Sequence, residues 1–252
     1  MRITVLGSGT SHGVPVIGCT CAVCRSDNPR NKRFRPSILV ENEGRCILVD
    51  TTPDLRAQAL TFDVRRIDAV LITHTHADHI FGLDELRCFN ALQGAPIPVY
   101  GTPDVLDDIQ RIFRYIFVPT QYGGGKPNLL LKPVPSRWTL FGMQVQAIPV
   151  LHGRLPVTAY RFDNFAYVTD VSSIPPESME RLRGLDVLIL DTVHPPPHPT
   201  HFGLAEALQV VQELRPRRTY FTHLSHHYEH EATNARLPDG VQLAYDGLRL
   251  TV

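Results

Sequence analysis

His74-Thr75-His76-Ala77-Asp78-His79 places four metal-ligating side chains within six residues, directly after the apolar run Ala69-Val70-Leu71-Ile72-Thr73. In an extended backbone, residues two apart project to the same side, so His74 and His76 can grip one ion together. Asp78 and His79 follow where the chain turns toward its next helix, and they can face a second ion. Imidazole and carboxylate suit zinc, iron or manganese. Two such ions roughly 3.5–4 Å apart can share a hydroxide nucleophile and clamp a phosphoryl group. The bland alternative is a polar surface loop that happens to be rich in histidine. Four ligand types in six residues, immediately behind a strand, argue against it.

The same pattern recurs outward from this stretch. Short apolar strands end on ligand-type residues five times: His74 after Ala69–Thr73, His152 after Met143–Val150, Asp170 after Ala166–Thr169, Asp191 after Val187–Leu190 and His223 after Thr219–Phe221. Five coincidences point to one site collected at one edge of a sheet. Further strands are expected at Arg2–Leu6, Ile38–Glu41, Cys46–Asp50, Ile97–Tyr100, Leu129–Val134 and Thr158–Phe162. Helices are expected at Pro53–Leu60, Leu83–Leu92, Pro103–Ile116 and Leu204–Leu214, with a flexible loop at Pro119–Asn128. Strands alternating with helices define an α/β protein. No linker or repeat interrupts it, so residues 1–252 are read as a single domain.

Composition excludes several classes. Apolar residues make up 43% and charged residues 20%, enough for a sizeable core and against wholesale disorder. Lysine plus arginine (25) equal aspartate plus glutamate (25), so the excess of positive charge that holds long nucleic acid is missing; a local basic patch remains compatible with this balance. The sequence contains no signal-peptide-like run and no stretch near the roughly 20 apolar residues that span a bilayer. A cytoplasmic protein with no membrane partner is therefore expected.

Three of the five cysteines cluster in Cys19-Thr20-Cys21-Ala22-Val23-Cys24. In a reducing compartment this suggests metal binding rather than disulfides. Tetrahedral structural zinc needs a fourth ligand; His226 is the candidate and His227 the alternative. Cys46 and Cys88 read as small core residues. Gly7-Ser8-Gly9-Thr10-Ser11-His12-Gly13 lacks the spacing of nucleotide-binding loops and is read as a tight loop near the metal edge, with His12 a minor ligand candidate. Thr52-Pro53-Asp54 reads as a helix start. Arg111–Tyr115 with Phe113 and Phe117 is either a wall for a phosphate and a sugar or base, or a solvated helix face.

The 74–79 stretch resembles the His-x-His-x-Asp-His signature of the metallo-β-lactamase superfamily, and His152, Asp170 and His223 continue the pattern in order. That resemblance implies an αβ/βα four-layer sandwich. It also implies that His74, His76 and His152 bind one metal, that Asp78, His79 and His223 bind another, and that Asp170 bridges them. Adding Gly18-Cys19-x-Cys21-x-x-Cys24, Thr222-His223-x-x-His226 and the tail Leu237-Pro238-Asp239-Gly240 with Tyr245-Asp246-Gly247, the chain is similar to the phosphoribosyl cyclic phosphodiesterases of bacterial phosphonate breakdown. In that family the three cysteines and the second histidine hold a structural zinc, here Cys19, Cys21, Cys24 and His226. A histidine just before the helix Leu204–Leu214 serves there as general acid, and His201 matches it.

The expectation is thus a phosphodiesterase acting on small cyclic phosphodiesters such as phosphoribosyl 1,2-cyclic phosphate. Two catalytic divalent metals (zinc or manganese) and one structural zinc are its cofactors, and Asp78 and His201 its catalytic residues. A small phosphodiester is the expected partner, and a homodimer stays open. Outside the motifs the sequence departs from the phosphonate enzymes, above all at Arg111–Asn128, where substrate choice is expected to be set. The rivals are a tRNA 3′-processing nuclease, a pyrroloquinoline-quinone biosynthesis hydrolase and a non-catalytic metal-binding accessory protein.

Overall fold

The computed structural model describes residues 1–119 and 125–252. The loop expected at Pro119–Asn128 falls in part on residues 120–124, which lie outside the described residues. Among the described residues the strands are β1 (Arg2–Gly7), β2 (Ser37–Asn42), β3 (Arg45–Val49), β4 (Ala69–Leu71), β5 (Ile97–Gly101), β6 (Leu129–Pro133), β7 (Arg137–Leu140), β8 (Met143–His152), β9 (Leu155–Phe162), β10 (Phe165–Val168), β11 (Val187–Asp191), β12 (Arg218–Thr222), β13 (Val241–Leu243) and β14 (Arg249–Thr251).

They form two seven-stranded sheets, ordered β14-β1-β2-β3-β4-β5-β6 and β13-β12-β11-β10-β9-β8-β7. Each sheet joins an antiparallel part to a parallel part: β3, β4, β5 and β6 run parallel in the first, and β10, β11, β12 and β13 in the second. The central parallel strands β4, β10 and β11 are short and rich in apolar residues because both their faces are covered; every residue of the three is buried.

Side-chain alternation sorts the residues into three cores. Ile3, Val5, Ile38, Ile47 and Val49 of the first sheet meet Tyr160, Phe162, Tyr167 and Ile189 of the second between the sheets. Leu39, Leu48 and Val70 turn to the other side and pack on Leu55, Leu86, Phe89 and Ile109 from helices Leu55–Thr61, Leu86–Gln93 and Pro103–Ile112. Ile148, Val150, Leu188 and Phe221 do the same against Met179, Ala207 and Leu214 of helices Pro176–Arg181 and Leu204–Leu214. The result is the expected four-layer sandwich of helices, two facing sheets and helices. No helix among the described residues is long and apolar enough to cross a membrane.

Some local expectations are corrected. The helix expected at Pro103–Ile116 stops at Ile112 and restarts at Arg114–Phe117. Phe113 leaves helical geometry (φ −102°, ψ 38°) to bury its ring, which meets Phe81 edge-on at 6.1 Å. The helix near Leu83 begins as a single 3₁₀ turn and closes with Gly94 in the left-handed conformation, where glycine carries no steric cost. Cys46 is half-buried and packs against the core beneath the first sheet as expected, whereas Cys88 is exposed and does not belong to a core. Asp54 sits at a helix start as expected, yet its carboxylate binds Arg35 at 2.9 Å instead of capping.

Candidate metal centre

The strand ends that carry ligand-type residues all open on one edge of the sandwich, at the carboxyl ends of their strands, where α/β sheets hold their ligands. Three of these residues, Asp50 (φ 64°), Asp170 (φ 51°) and His223 (φ 59°), occupy the left-handed region. Non-glycine residues are held there only where the surroundings over-determine them, and they cluster at functional sites. At each, the chain turns sharply off its strand and the side chain stays buried at the edge.

Asp170 lies at the centre. Its Oδ1 is 3.3 Å from His79 Nε2 and 3.4 Å from His223 Nε2, and its Oδ2 is 3.8 Å from His74 Nε2. Asp78 Oδ2 stands 3.2 Å from His79 Nε2 and 3.6 Å from His223 Nε2. Ligand atoms of Asp78, His79, Asp170 and His223 all lie within 4.8 Å of one another; so, separately, do those of His74, His76 and Asp170, and those of His152, Asp170 and His201. The His152 ring packs 5.2 Å from that of His76 and 4.4 Å from that of His201. All seven residues expected to ligate are brought together, with His76 the exposed one at the mouth. His12 is exposed and joins none of these groups among the described residues.

The outer nitrogens of several rings are anchored. His79 Nδ1 is 2.8 Å from Asp50 Oδ2, and Asp50 also accepts the amide and hydroxyl of Thr73. His152 Nδ1 donates to the Thr200 carbonyl at 2.5 Å, and His201 Nδ1 to Asp191 Oδ2 at 2.9 Å. Such bonds set the tautomer and leave Nε2 facing inward, the arrangement typical of metal-binding histidine.

A cation fits this cage. His74 Nε2, His79 Nε2, His223 Nε2 and Asp78 Oδ2 are buried with no hydrogen-bond partner, and each such orphan costs on the order of 1–3 kcal/mol. A shared positive charge among them would remove that cost. Electrostatics agree. Burial alone lowers the affinity of His79 for a proton, but Asp170, Asp78 and Asp50 outweigh it and raise its pKa well above the usual histidine value. Burial likewise disfavours charge on His223, and Asp170, Asp78 and Asp191 overcome it to raise the ring to about 9. The carboxylates thus draw positive charge to His79 and His223, while burial holds His74 and His152 neutral.

A second cluster lies beside it. His226 Nδ1 is 3.2 Å from Cys19 Sγ, 3.7 Å from Cys21 Sγ and 3.4 Å from Cys24 Sγ. The alternative, His227, is exposed and bonds Ser225 Oγ at 3.1 Å. Three thiols and one imidazole match the donor set of structural zinc.

The surroundings sew this cluster to the loop after His223. Leu224 exchanges backbone hydrogen bonds with Ser8 and Thr10, and buried Arg33 donates to the carbonyls of Ser225 and Tyr228. Gly7 allows the close approach that this needs: a Cβ there would lie 1.9 Å from the Arg35 carbonyl oxygen. His230 closes the loop, buried beside Tyr245, and burial lowers its pKa to about 4. A histidine depressed in the fold favours the native state above its unfolded pKa of 6.5, and that contribution is lost as pH falls from 6.5 through about 4. His230→Gln is therefore expected to flatten the fall in melting temperature across that window; parallel pH series for the two proteins measure it, and identical slopes would refute the assignment.

The histidines of the proline loop separate. His201 is buried at the centre, whereas His194 bonds its own loop at the Pro196 carbonyl and His198 contacts Thr200. Sequence reasoning missed Asp50, although it ends the strand read at Cys46–Asp50, and counted Asp191 among the strand ends that meet at the site without giving it a function of its own. The Thr200 carbonyl had no signal at all, because any residue has one. Of the segment Arg111–Phe117, Arg111 pairs with Asp108, which also accepts the Thr75 hydroxyl at 2.9 Å and so joins this helix to the histidine motif.

Two facing sheets with histidines and aspartates gathered at strand ends define a class, and comparison with known proteins names it. The Beta-lactamase superfamily domain matches residues 45–224, and the chain belongs to that superfamily, in its metallo-β-lactamase form. Within it the chain resembles the PhnP family: the crystal structure of a diphosphatase from that family shares 46% identity over 99% of this chain and 97% of the other, with a TM-score of 0.92. Zinc-bound PqqB from Methylobacterium extorquens shares the fold at 21% identity, TM-score 0.80 and full coverage of both chains. Among curated relatives, an octanoyltransferase of Porphyromonas gingivalis is 35% identical over the whole of this chain, which spans 52% of that protein's length.

Proposed function

We propose that the chain is a metal-dependent hydrolase of small phosphodiesters, with phosphoribosyl 1,2-cyclic phosphate and related cyclic phosphates as the substrate class. The observation that carries this reading is the sharing of Asp170 between two groups of ligand atoms, four of which (on His74, Asp78, His79 and His223) are buried without a hydrogen-bond partner. His74, His76 and His152 would hold one divalent cation, Asp78, His79 and His223 a second, and Asp170 both. Bound there, the two cations supply Lewis-acid polarisation of a phosphoryl group and acidify water at the site.

The remaining chemistry belongs to the chain. Asp50, Thr200 and Asp191 orient the rings, so that little reorganisation accompanies the reaction. Hydroxide adds to phosphorus, the bond from phosphorus to the leaving oxygen breaks, and His201 gives its proton to that oxygen. With Nδ1–H held by Asp191, the proton that leaves is the one on Nε2 of the His201 imidazolium, and the ring is left as the neutral Nδ1–H form. A proton donor of this kind contributes typically 10²–10⁴-fold. Residues 1–252 form one domain in this reading, supported by a core that draws on both sheets and both ends of the chain, from Met1 to Val252. The cysteine cluster holds a structural zinc, as suits a reducing cytoplasm.

A second substrate is favoured by the 46% identity to a diphosphatase: a diphosphate bond presents the same phosphoryl group with a phosphate leaving group. Side-by-side assays of a bis-aryl phosphate, phosphoribosyl 1,2-cyclic phosphate, a 2′,3′-cyclic nucleotide, a dinucleoside diphosphate and a precursor tRNA separate these readings. Turnover is expected on the small esters and not on the tRNA. A fully metal-loaded protein inert toward every one of them would overturn the proposal.

Cys21→Ser is expected to remove one zinc per chain and lower the melting temperature while leaving the other two metals bound, as elemental analysis and calorimetry would record. Unchanged metal content and stability would refute the structural zinc.

A further inference from the structure

Three guanidinium groups converge far from the metal edge. Arg137 starts β7, Arg161 lies near the end of β9, and Arg181 ends the helix Pro176–Arg181; with Ser136, Gln146 and Glu180 they line a cleft of about 510 Å³. Gln146 and His152 are six residues apart on β8, roughly 20 Å at about 3.3 Å per residue, so the cleft sits at the opposite end of the strand from the metal edge.

Arg161 and Arg181 are held in place by neutral groups, and Arg137 stands beside them. Arg161 donates through Nε to the Asp163 carbonyl at 2.7 Å, and through Nη1 to the carbonyls of Arg181 (2.6 Å) and Arg183 (2.7 Å). Arg181 donates through Nη2 to the carbonyls of Ser136 (3.1 Å) and Ala147 (2.8 Å), and faces Gln146 through Nε. No carboxylate among the described residues pairs with Arg137, Arg161 or Arg181: Glu180 at the rim is bonded to Arg183 at 2.9 Å, and Asp163 uses its Oδ1 for the Gln144 amide. Burial first, and then the nearby Arg137, lower the pKa of both Arg161 and Arg181, against a smaller opposing pull of Asp163 on Arg161.

Immobilised arginine forks with free N–H groups match phosphate geometry. The lining contains no large apolar side chain, which sets the cleft apart from the core of a protein–protein interface. We propose that this cleft is a second, non-catalytic binding site for a small phosphate-bearing dianion, of the phosphomonoester or diphosphate kind. It needs no metal and is independent of the reaction at the other edge.

The test uses pyrophosphate as probe, on the metal-loaded full chain at physiological salt. Side-chain Nε signals of Arg161 and Arg181, followed by nuclear magnetic resonance, are expected to shift saturably. Calorimetry is expected to find this site weakened at least tenfold in Arg137→Glu, and measurably in Arg137→Ala, with any binding at the metal edge unchanged. The Arg137 side chain makes no hydrogen bond or ion pair among the described residues, so both variants should keep the wild-type melting temperature. Arginine signals that do not respond to pyrophosphate in the wild-type protein, or a pyrophosphate isotherm unaltered in both variants, would overturn the proposal.

Discussion

Asp170→Ala is expected to abolish turnover and to release at least one of the two cations at the metal edge. Among the described residues Asp170 is the one side chain grouped with both sets of ligands, His74 with His76 on one side and Asp78, His79 and His223 on the other. Its removal leaves His79 Nε2 and His223 Nε2 facing each other across a buried gap with Asp78 as the remaining carboxylate beside their inner nitrogens. We expect a loss of roughly 10³-fold or more in kcat, about 4 kcal/mol of barrier at about 1.36 kcal/mol per decade. Elemental analysis after dialysis, with single-turnover kinetics on a bis-aryl phosphate, measures both effects. A variant that keeps two tightly held cations and most of its rate would remove the basis for a shared centre. Asp170→Glu tests geometry instead of charge: the longer side chain should recover part of the metal content and little of the rate.

His201→Ala carries the second large effect. The ring is buried, anchored by Asp191 at 2.9 Å and packed 4.4 Å from His152 and 4.8 Å from His223. Its ligand atom also lies within 4.8 Å of those of His152 and Asp170, so it stands where either a proton donor or a further metal ligand would stand. The donor role requires turnover to fall by roughly 10²–10⁴-fold with metal content unchanged and with the loss smaller for a substrate whose leaving group needs no proton. A fall in bound metal would make His201 a ligand, and undiminished turnover on an alkyl ester would remove it from the mechanism. Asp191→Asn should produce a milder form of the same defect, because the amide can hold the ring but cannot stabilise the imidazolium.

The donor chemistry was legible because it is local. Four ligand types in six residues at 74–79, and single histidines or aspartates at the ends of apolar runs, are patterns along one dimension. The rule that found Asp170 and His223 would also have found Asp50 at the end of Cys46–Asp50; its value shows only when Asp50 is seen 2.8 Å from His79. The break at Phe113 was hidden for a different reason. Helical periodicity runs through Pro103–Ile116, and the ring leaves the helix to reach Phe81, a contact across tertiary space. The four-layer arrangement entered through resemblance, since alternating strands and helices are equally compatible with a single sheet covered on both faces.

By itself the sequence determined which atoms can bind metal and that they stand at strand ends, because side-chain chemistry and backbone period are properties of neighbouring residues. The tertiary structure alone decided that Asp170 stands between two groups, that His226 and not His227 faces the three thiols, and that Asp50 and Asp191 orient the rings. Those are distances between residues far apart in the chain, and they exist only once two sheets have packed and their strand ends have met at one edge.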